Sequence, residues 1–371
     1  MGFKCGIVGL PNVGKSTIFN ALTEAKAASE NYPFCTIDPN VGTVAVPDTR
    51  LNEINKVIQS QKVIPTTMNF VDIAGLVKGA SRGEGLGNKF LGHIRSTDAI
   101  AHVVRCFDSS DITHVEGNVD PIRDIDIIET ELILADNETV ESNLKRYSKL
   151  SKTGNKHIPE IITMLENLNK HLQDLKPVRS FTYDKLKDSK ELYIAFRDLH
   201  LITRKPTLYV CNIHEDDLQN PEKNIYVQKV LNHAKNENSQ IITLSGKIEE
   251  ELVGLSISER QEMLEALGLQ EPGLNYLIKK GYELLGLQTY FTAGVKEVRA
   301  WTIVKGAKAP EAAGVIHSDF ERGFICAETF HYKDLVEAKS PTKLKELGLI
   351  RIEGKDYTVK DGDVIEFRFN V

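Results

Sequence analysis

Apolar residues fall along this chain in two periods. Short apolar runs at 5–8, 41–46, 67–71, 99–104, 207–211 and 240–244 are bounded by glycine, proline or polar clusters and predict buried strands. A long gap separates the fourth and fifth runs. Within it Ile158, Ile161, Leu165, Leu168, Leu172 and Leu175 recur every three or four residues, which predicts a helical seam. A second helical stretch runs from Ile122 to Tyr147, and Pro177 closes the first seam. The seam is too short for a free coiled coil, so the pair is expected to be an antiparallel helical arm inserted in the sheet domain at about 125–203. From about Leu285 the pattern changes to strand-like alternation at 291–294, 297–304 and 363–369, a small α+β module. The expected fold is α/β: a doubly wound, six-stranded nucleotide domain over 1–256 interrupted by the arm, a connector over 257–284, and a C-terminal domain over 285–369.

The first run leads directly into Gly9-Leu10-Pro11-Asn12-Val13-Gly14-Lys15-Ser16-Thr17, a G-x-x-x-x-G-K-[ST] loop followed by a helical stretch. Such a P-loop folds tightly enough for several backbone N–H groups to point at a phosphate, at the start of a helix. Asn12, Val13, Gly14, Lys15, Ser16 and Thr17 are therefore candidate nucleotide ligands. Lys15 reaches the β- and γ-phosphates, and Ser16 is placed to hold Mg²⁺. Thr36, in a proline-bounded loop, is a candidate second Mg²⁺ ligand; the alternative is a plain turn residue. Asp72 ends the third run and would hold Mg²⁺ through water, while the N–H of Gly75 would meet the γ-phosphate. Gly75, Gly79, Gly83, Gly85 and Gly87 crowd the next segment. Leu76 stands where many GTPases place the glutamine that orients the attacking water, so that water has to be positioned from elsewhere; Lys78 and Arg82 lie in the same run.

Base recognition is expected after the fifth and sixth strands. GTPases carry Asn-Lys-x-Asp at the first place, its Asp accepting from guanine; here the pattern is Asn212-Ile213-His214-Glu215. A glutamate is one methylene longer and shifts the carboxylate, whereas Asn212 suits adenine, with main-chain groups of Ile213 completing the edge. Ser245, Gly246 and Lys247 follow the sixth strand as further base contacts. ATP is thus expected over GTP.

Composition narrows the rest. A net charge of −6 argues against a whole-molecule nucleic-acid coat and permits a local basic face. Lys305, Lys308, Arg322 and Lys333 make the C-terminal module a candidate surface, and His317 with Asp319 reads as a structural pair for want of further ligands at metal spacing. Cys5, Cys35, Cys106, Cys211 and Cys326 are scattered without a C-x-x-C pair, as in a reduced protein. No apolar run is long enough to span a bilayer, and the first strand begins too soon for a leader, so a cytoplasmic location is expected, with no membrane partner and no sequence-specific DNA partner.

With these residues in place the chain resembles the Obg-like ATPase (YchF) family, a branch of the Obg group. The resemblance spans essentially the whole length: the loop 9–17, Asp72 to Gly75 with the glycine-rich extension, Asn212-x-x-Glu215, the helical insert, and a C-terminal stretch at 312–324 similar to that family's TGS signature. It implies a β-grasp-like TGS domain, ATP hydrolysis in preference to GTP, and association with ribosomes and ribosomal RNA. It also implies a hydrophobic residue in place of the catalytic glutamine, matched by Leu76, a K⁺ ligand at Asn12, and a catalytic group at His114. Two functions are carried forward: a Mg²⁺-dependent ATPase, and a nucleotide-gated ribosome or RNA binding factor whose hydrolysis only resets it. A conventional GTPase is the remaining alternative.

Overall fold

The computed structural model describes residues 3–27, 40–73, 86–109, 113–151 and 156–370. Those within 3–43 and 69–277 form one compact unit, and those within 44–68 and 278–370 form another.

The first unit is built on a sheet of order β2-β4-β1-β5-β6-β7. Its strands are β1 (Lys4–Val8), β2 (Val41–Ala45), β4 (Thr67–Asp72), β5 (Ala99–Arg105), β6 (Thr207–Asn212) and β7 (Gln240–Leu244). β1 pairs in parallel with β4 and β5, and β5, β6 and β7 continue the parallel set. Every residue of β5 and β6 is buried. Parallel strands covered on both faces read as unbroken apolar runs, which is why these two are so plain in the sequence. Helix α1 (Lys15–Ala27) follows β1, and α3 (Leu86–Arg95) precedes β5.

Between β5 and β6 the chain rises into the arm. Asp120 caps α4 (Pro121–Leu150) by accepting from the Ile122 N–H, and Pro121 occupies the first helical turn, where its missing N–H costs nothing. The outer part of α4 packs on α5 (Ile158–Gln173) around Ile133, Val140, Ile161, Leu165, Leu168 and Leu172. Short α6 (Lys185–Asp188) and α7 (Lys190–Arg197) complete the arm, Leu192 and Phe196 entering the same core. The seam stops at Leu172. Leu175 lies beyond the helix end at φ 54° and is 56% exposed, so it does not join the core as its spacing suggested. Buried Asp136 ties the arm's return to α4, accepting from the Ile202 N–H, the Thr203 N–H and the Thr203 hydroxyl, each at 2.7 Å. α8 (Ile225–Asn236) and α9 (Gly246–Val253) flank β7 in sequence. The expected connector is no spacer: α10 (Ile257–Ala266) and the first half of α11 (Gly273–Leu284) belong to this unit. Glu249 of α9 is 3% exposed and accepts from the Gly273 N–H at 2.7 Å, capping α11; burial pushes its carboxyl up to about 7.

The second unit has the sheet order β11-β10-β12-β8-β9-β3, with β3 (Lys62–Ile64), β8 (Leu287–Ala293), β9 (Glu297–Val304), β10 (Phe324–His331), β11 (Arg351–Glu353) and β12 (Asp363–Phe369). Here the expected boundary is corrected. Residues 44–68, placed by the sequence inside the nucleotide domain, supply β3 and α2 (Thr49–Ile58) to this unit. β3 pairs in parallel with β9, Val63 opposite Val298. Leu51 and Ile54 of α2 pack with Phe291, Val298, Ala300 and Leu335, the last from α14 (Tyr332–Ala338). Arg50 joins Asp48 at 2.7 Å and Asp361 at 2.6 Å, its guanidinium over the rings of Phe291 and Tyr332. The opposite face of the sheet is covered by α12 (Ala309–Ile316), through Ala309, Ala312 and Ala313 against Tyr290, Ile303 and Ile365. α13 (Ser318–Arg322) is capped by the His317 ring, whose Nδ1 accepts from the Asp319 N–H at 3.2 Å. That is the structural pairing expected of His317 and Asp319. α15 (Pro341–Glu346) completes the unit. No helix among the described residues is long and apolar enough to cross a membrane.

Candidate phosphate and base site

The ends of β1, β5, β6 and β7 bring the site residues together, at the carboxyl edge of the sheet where open α/β folds bind ligands. β1 gives way to the loop at Gly9, where a Cβ would lie 2.5 Å from the Val103 carbonyl oxygen of β5. Gly14 takes φ 97° and its missing side chain makes room for the Asn212 amide. α1 starts at Lys15, so the loop's last N–H groups lie at a helix N-terminus.

Lys15 is 7% exposed, and its Nζ donates to the Leu10 carbonyl at 2.6 Å. Burial lowers its pKa to about 8, opposed by the negative charge of Asp72. Burial likewise raises the Asp72 carboxyl above its usual range, opposed by Lys15. Asp72 Oδ1 is buried and has no hydrogen-bond partner among the described residues. An orphaned buried carboxylate oxygen is costly unless something else is bound there. With the exposed hydroxyl of Ser16 it offers the hard oxygen donors that Mg²⁺ takes, so the residues present fit that ion. Thr36, Gly75 and Leu76, and Cys35 with them, lie outside the described residues.

Asn12 sits at φ 63°, exposed, with its Nδ2 donating to the Thr113 carbonyl at 3.2 Å. That bond fixes the amide's orientation and leaves Oδ1 as the acceptor that a monovalent cation would use.

The base-side residues are engaged within the protein. Asn212 is 6% exposed; its Nδ2 donates to the Val13 carbonyl at 3.0 Å and its Oδ1 accepts from the Gly246 N–H at 2.9 Å. The side chain therefore braces the phosphate loop against the turn after β7, using one of its two N–H donors and one lone pair of its oxygen. Ile213 is buried in the core beside β6, and its N–H is already given to the Leu244 carbonyl at 2.9 Å, so it completes no base edge through that group. Glu215 pairs with Lys247, Nζ to Oε2 at 2.7 Å, and this partner holds its carboxyl below the ordinary range. Ser245 is buried and precedes α9 as its N-cap residue, its side chain making no capping hydrogen bond.

His114 is also placed differently from a free catalytic group. Its ring is 3% exposed, Nε2 lies 2.8 Å from Asp124 Oδ2, and Nδ1 accepts from the Glu116 N–H at 3.1 Å. Both nitrogens are occupied, so in this arrangement the ring orients no water. The turn it belongs to borders a cavity of about 690 Å³, lined also by Arg105, Asp108 and Tyr226. Two residues in this network had no signal of their own: Thr113, which acts through its carbonyl, and Asp124, which reads as one more acid in a helix's first turn.

A strand, a glycine loop closing on a buried lysine, a helix, and an aspartate ending the neighbouring strand define a P-loop nucleotide-binding protein of the switch type. Residues 4–142 match the family profile described as 50S ribosome-binding GTPase, and residues 287–370 match YchF-GTPase_C, described as a protein of unknown function. Curated relatives named Ribosome-binding ATPase YchF are 55% identical in Bacillus subtilis and 52% identical in Escherichia coli O157:H7, each covering all of both chains. A solved structure of the Schizosaccharomyces pombe YchF GTPase superposes with a TM-score of 0.87 at 39% identity, covering 99% of this chain and 98% of that one. The chain belongs to the YchF family of Obg-like P-loop proteins.

Proposed function

We propose that the protein is a Mg²⁺-dependent ATP-hydrolysing switch that associates with ribosomes, ribosomal RNA included, and that it prefers ATP to GTP. The observation that carries the nucleotide half is the buried Lys15 beside Asp72, with one carboxylate oxygen unpartnered at the phosphate loop. Curated relatives named for ribosome binding at about half identity support the other half. When triphosphate enters, Lys15 exchanges the Leu10 carbonyl for phosphate oxygens and recovers the charge that burial disfavours. The loop N–H groups would hold the phosphates, and Asp72 and Ser16 would hold Mg²⁺, whose charge would offset that of the β- and γ-phosphates. Thr36 and Gly75, which lie outside the described residues, are the further candidates for the metal and the γ-phosphate. Asn12, through Oδ1, would hold K⁺, whose positive charge would offset the negative charge developing on the phosphates and so speed hydrolysis.

The preference for adenine rests on Glu215. A carboxylate already neutralised by Lys247 is a poor paired acceptor for guanine, which presents two donors. The base is met by the turn 245–247 and the chain around 213–215. Competition of ATP against GTP, under one Mg²⁺ and K⁺ condition, tests this. Tighter ATP binding is expected; GTP bound tenfold more tightly would make the protein an ordinary GTPase.

A further inference from the structure

Asp124 belongs to the first turn of the arm helix α4 and is 2% exposed. It accepts from His114 Nε2 at 2.8 Å, and the neighbouring Arg123 lies 3.4 Å from its other oxygen. Because Nδ1 of the ring accepts from the Glu116 N–H, the network assigns the proton to Nε2, directed at Asp124. The same residue closes a tight turn, the Gly117 N–H donating to the His114 carbonyl at 3.0 Å with Gly117 at φ 86°. His114 thus holds its turn by ring and by backbone, and the carbonyl just before it, on Thr113, holds Asn12 of the phosphate loop.

We propose that Asp124 is a positioning residue for the nucleotide site: by anchoring the His114 ring it fixes the 113–117 turn, and through Thr113 it fixes Asn12 in the phosphate loop. The chain of contacts is continuous, Asp124 to His114 to Thr113 to Asn12, and it ties the base of the arm to the loop that binds phosphate. The site needs such a prop. Asn12 is held in a left-handed conformation on an exposed loop, and the Thr113 carbonyl is the sole partner of its amide among the described residues. The functional consequence rests on the phosphate-loop reading above. The physical consequence, the order of the turn, does not.

The test uses the full chain with Asp124→Ala and Asp124→Asn. Hydrogen exchange of the peptide spanning 113–117, KM and kcat for ATP, and exchange of the arm peptide 161–172 are measured together. In Asp124→Ala the turn is expected to exchange at least tenfold faster and KM to rise three- to tenfold. kcat at saturating ATP, measured with Na⁺ in place of K⁺ so that the Asn12 contribution is absent, should stay within twofold and the arm peptide should be unchanged. A turn as protected as in wild type overturns the proposal. So does a loosened turn with KM unchanged, and so does a collapse of kcat at constant KM, which returns His114 to the chemistry itself. Should the Ala variant also loosen the arm, the isosteric Asp124→Asn is read in its place. It is expected to shift turn and KM in the same direction by twofold or more, and a shift in neither overturns the proposal. ATP binding by wild type, abolished in Lys15→Ala, is the separate check on the phosphate-loop reading.

Discussion

Replacing Asn212 with alanine separates a brace from a base reader. The side chain is 6% exposed and satisfies two backbone groups from distant parts of the chain, the Val13 carbonyl and the Gly246 N–H. Truncation leaves both without a partner. A buried polar group left unpaired costs about 1–3 kcal/mol, so two cost about 2–6 kcal/mol. Water entering the vacated space returns part of this, leaving about 2–4 kcal/mol. For a unit of this size that corresponds to a fall in melting temperature of about 5–15 °C. The assay is thermal unfolding of the nucleotide-free protein, followed in the transition that ATP raises in wild type, beside titration calorimetry with ATP. Asn212→Asp sharpens it: the carboxylate still accepts from Gly246 but faces the Val13 carbonyl with a second acceptor, and should melt at least as low as Ala. An unchanged melting temperature with a collapse of ATP affinity would refute the brace and restore Asn212 as a base reader.

Lys15 gives a pH-dependent prediction. Burial lowers its folded pKa from the ordinary lysine value of 10.5 to about 8, so the empty protein releases that proton as pH passes about 8. Phosphates restore the charge, so ATP binding near pH 9 should take up a proton, and the heat should vary with the ionisation enthalpy of the buffer; this variation should vanish in Lys15→Ala. The sign for stability follows: a lysine depressed on folding makes the empty protein gain stability from this group as pH rises from about 8 towards 10.5, which denaturation at two pH values reads. Removal of the chain from Leu285 onward should weaken ribosome co-sedimentation, but it also strips β9 from β3 and uncovers Leu51 and Ile54. The truncated protein should therefore aggregate or bind a hydrophobic dye unless 44–68 is replaced by a short linker; a well-behaved, dye-silent truncation would show that α2 and β3 hold without their partners.

What was legible in the chain, and what was not, divides by whether a residue acts through its own pattern or through a remote backbone group. β5 and β6 are unbroken apolar runs, the arm's seam repeats at helical spacing, and Lys15 sits inside a motif whose geometry is local; all three could be read directly. The transfer of 44–68 to the second unit could not, since α2 is an ordinary amphipathic helix whose apolar face says nothing about which sheet it meets. Its partners Phe291, Val298 and Leu335 come from the far end of the chain. The bracing role of Asn212 was hidden for a related reason. Its place in a base-recognition motif was plain, but the groups it bonds are main-chain atoms of Val13 and Gly246, which no side-chain pattern encodes. His114 and Asp124 are only ten residues apart, yet a tight turn and a helix start must both form before they meet. These three features share one physical property: each joins two elements whose mutual position is a result of folding. In a switch protein these joints are also the places where a bound phosphate can be felt elsewhere, because a contact that exists only when two elements are in register is lost when either one moves. Among the described residues, the Asn212 amide and the Asp124–His114 pair are two such joints at this phosphate loop, one toward the turn after β7 and one toward the arm.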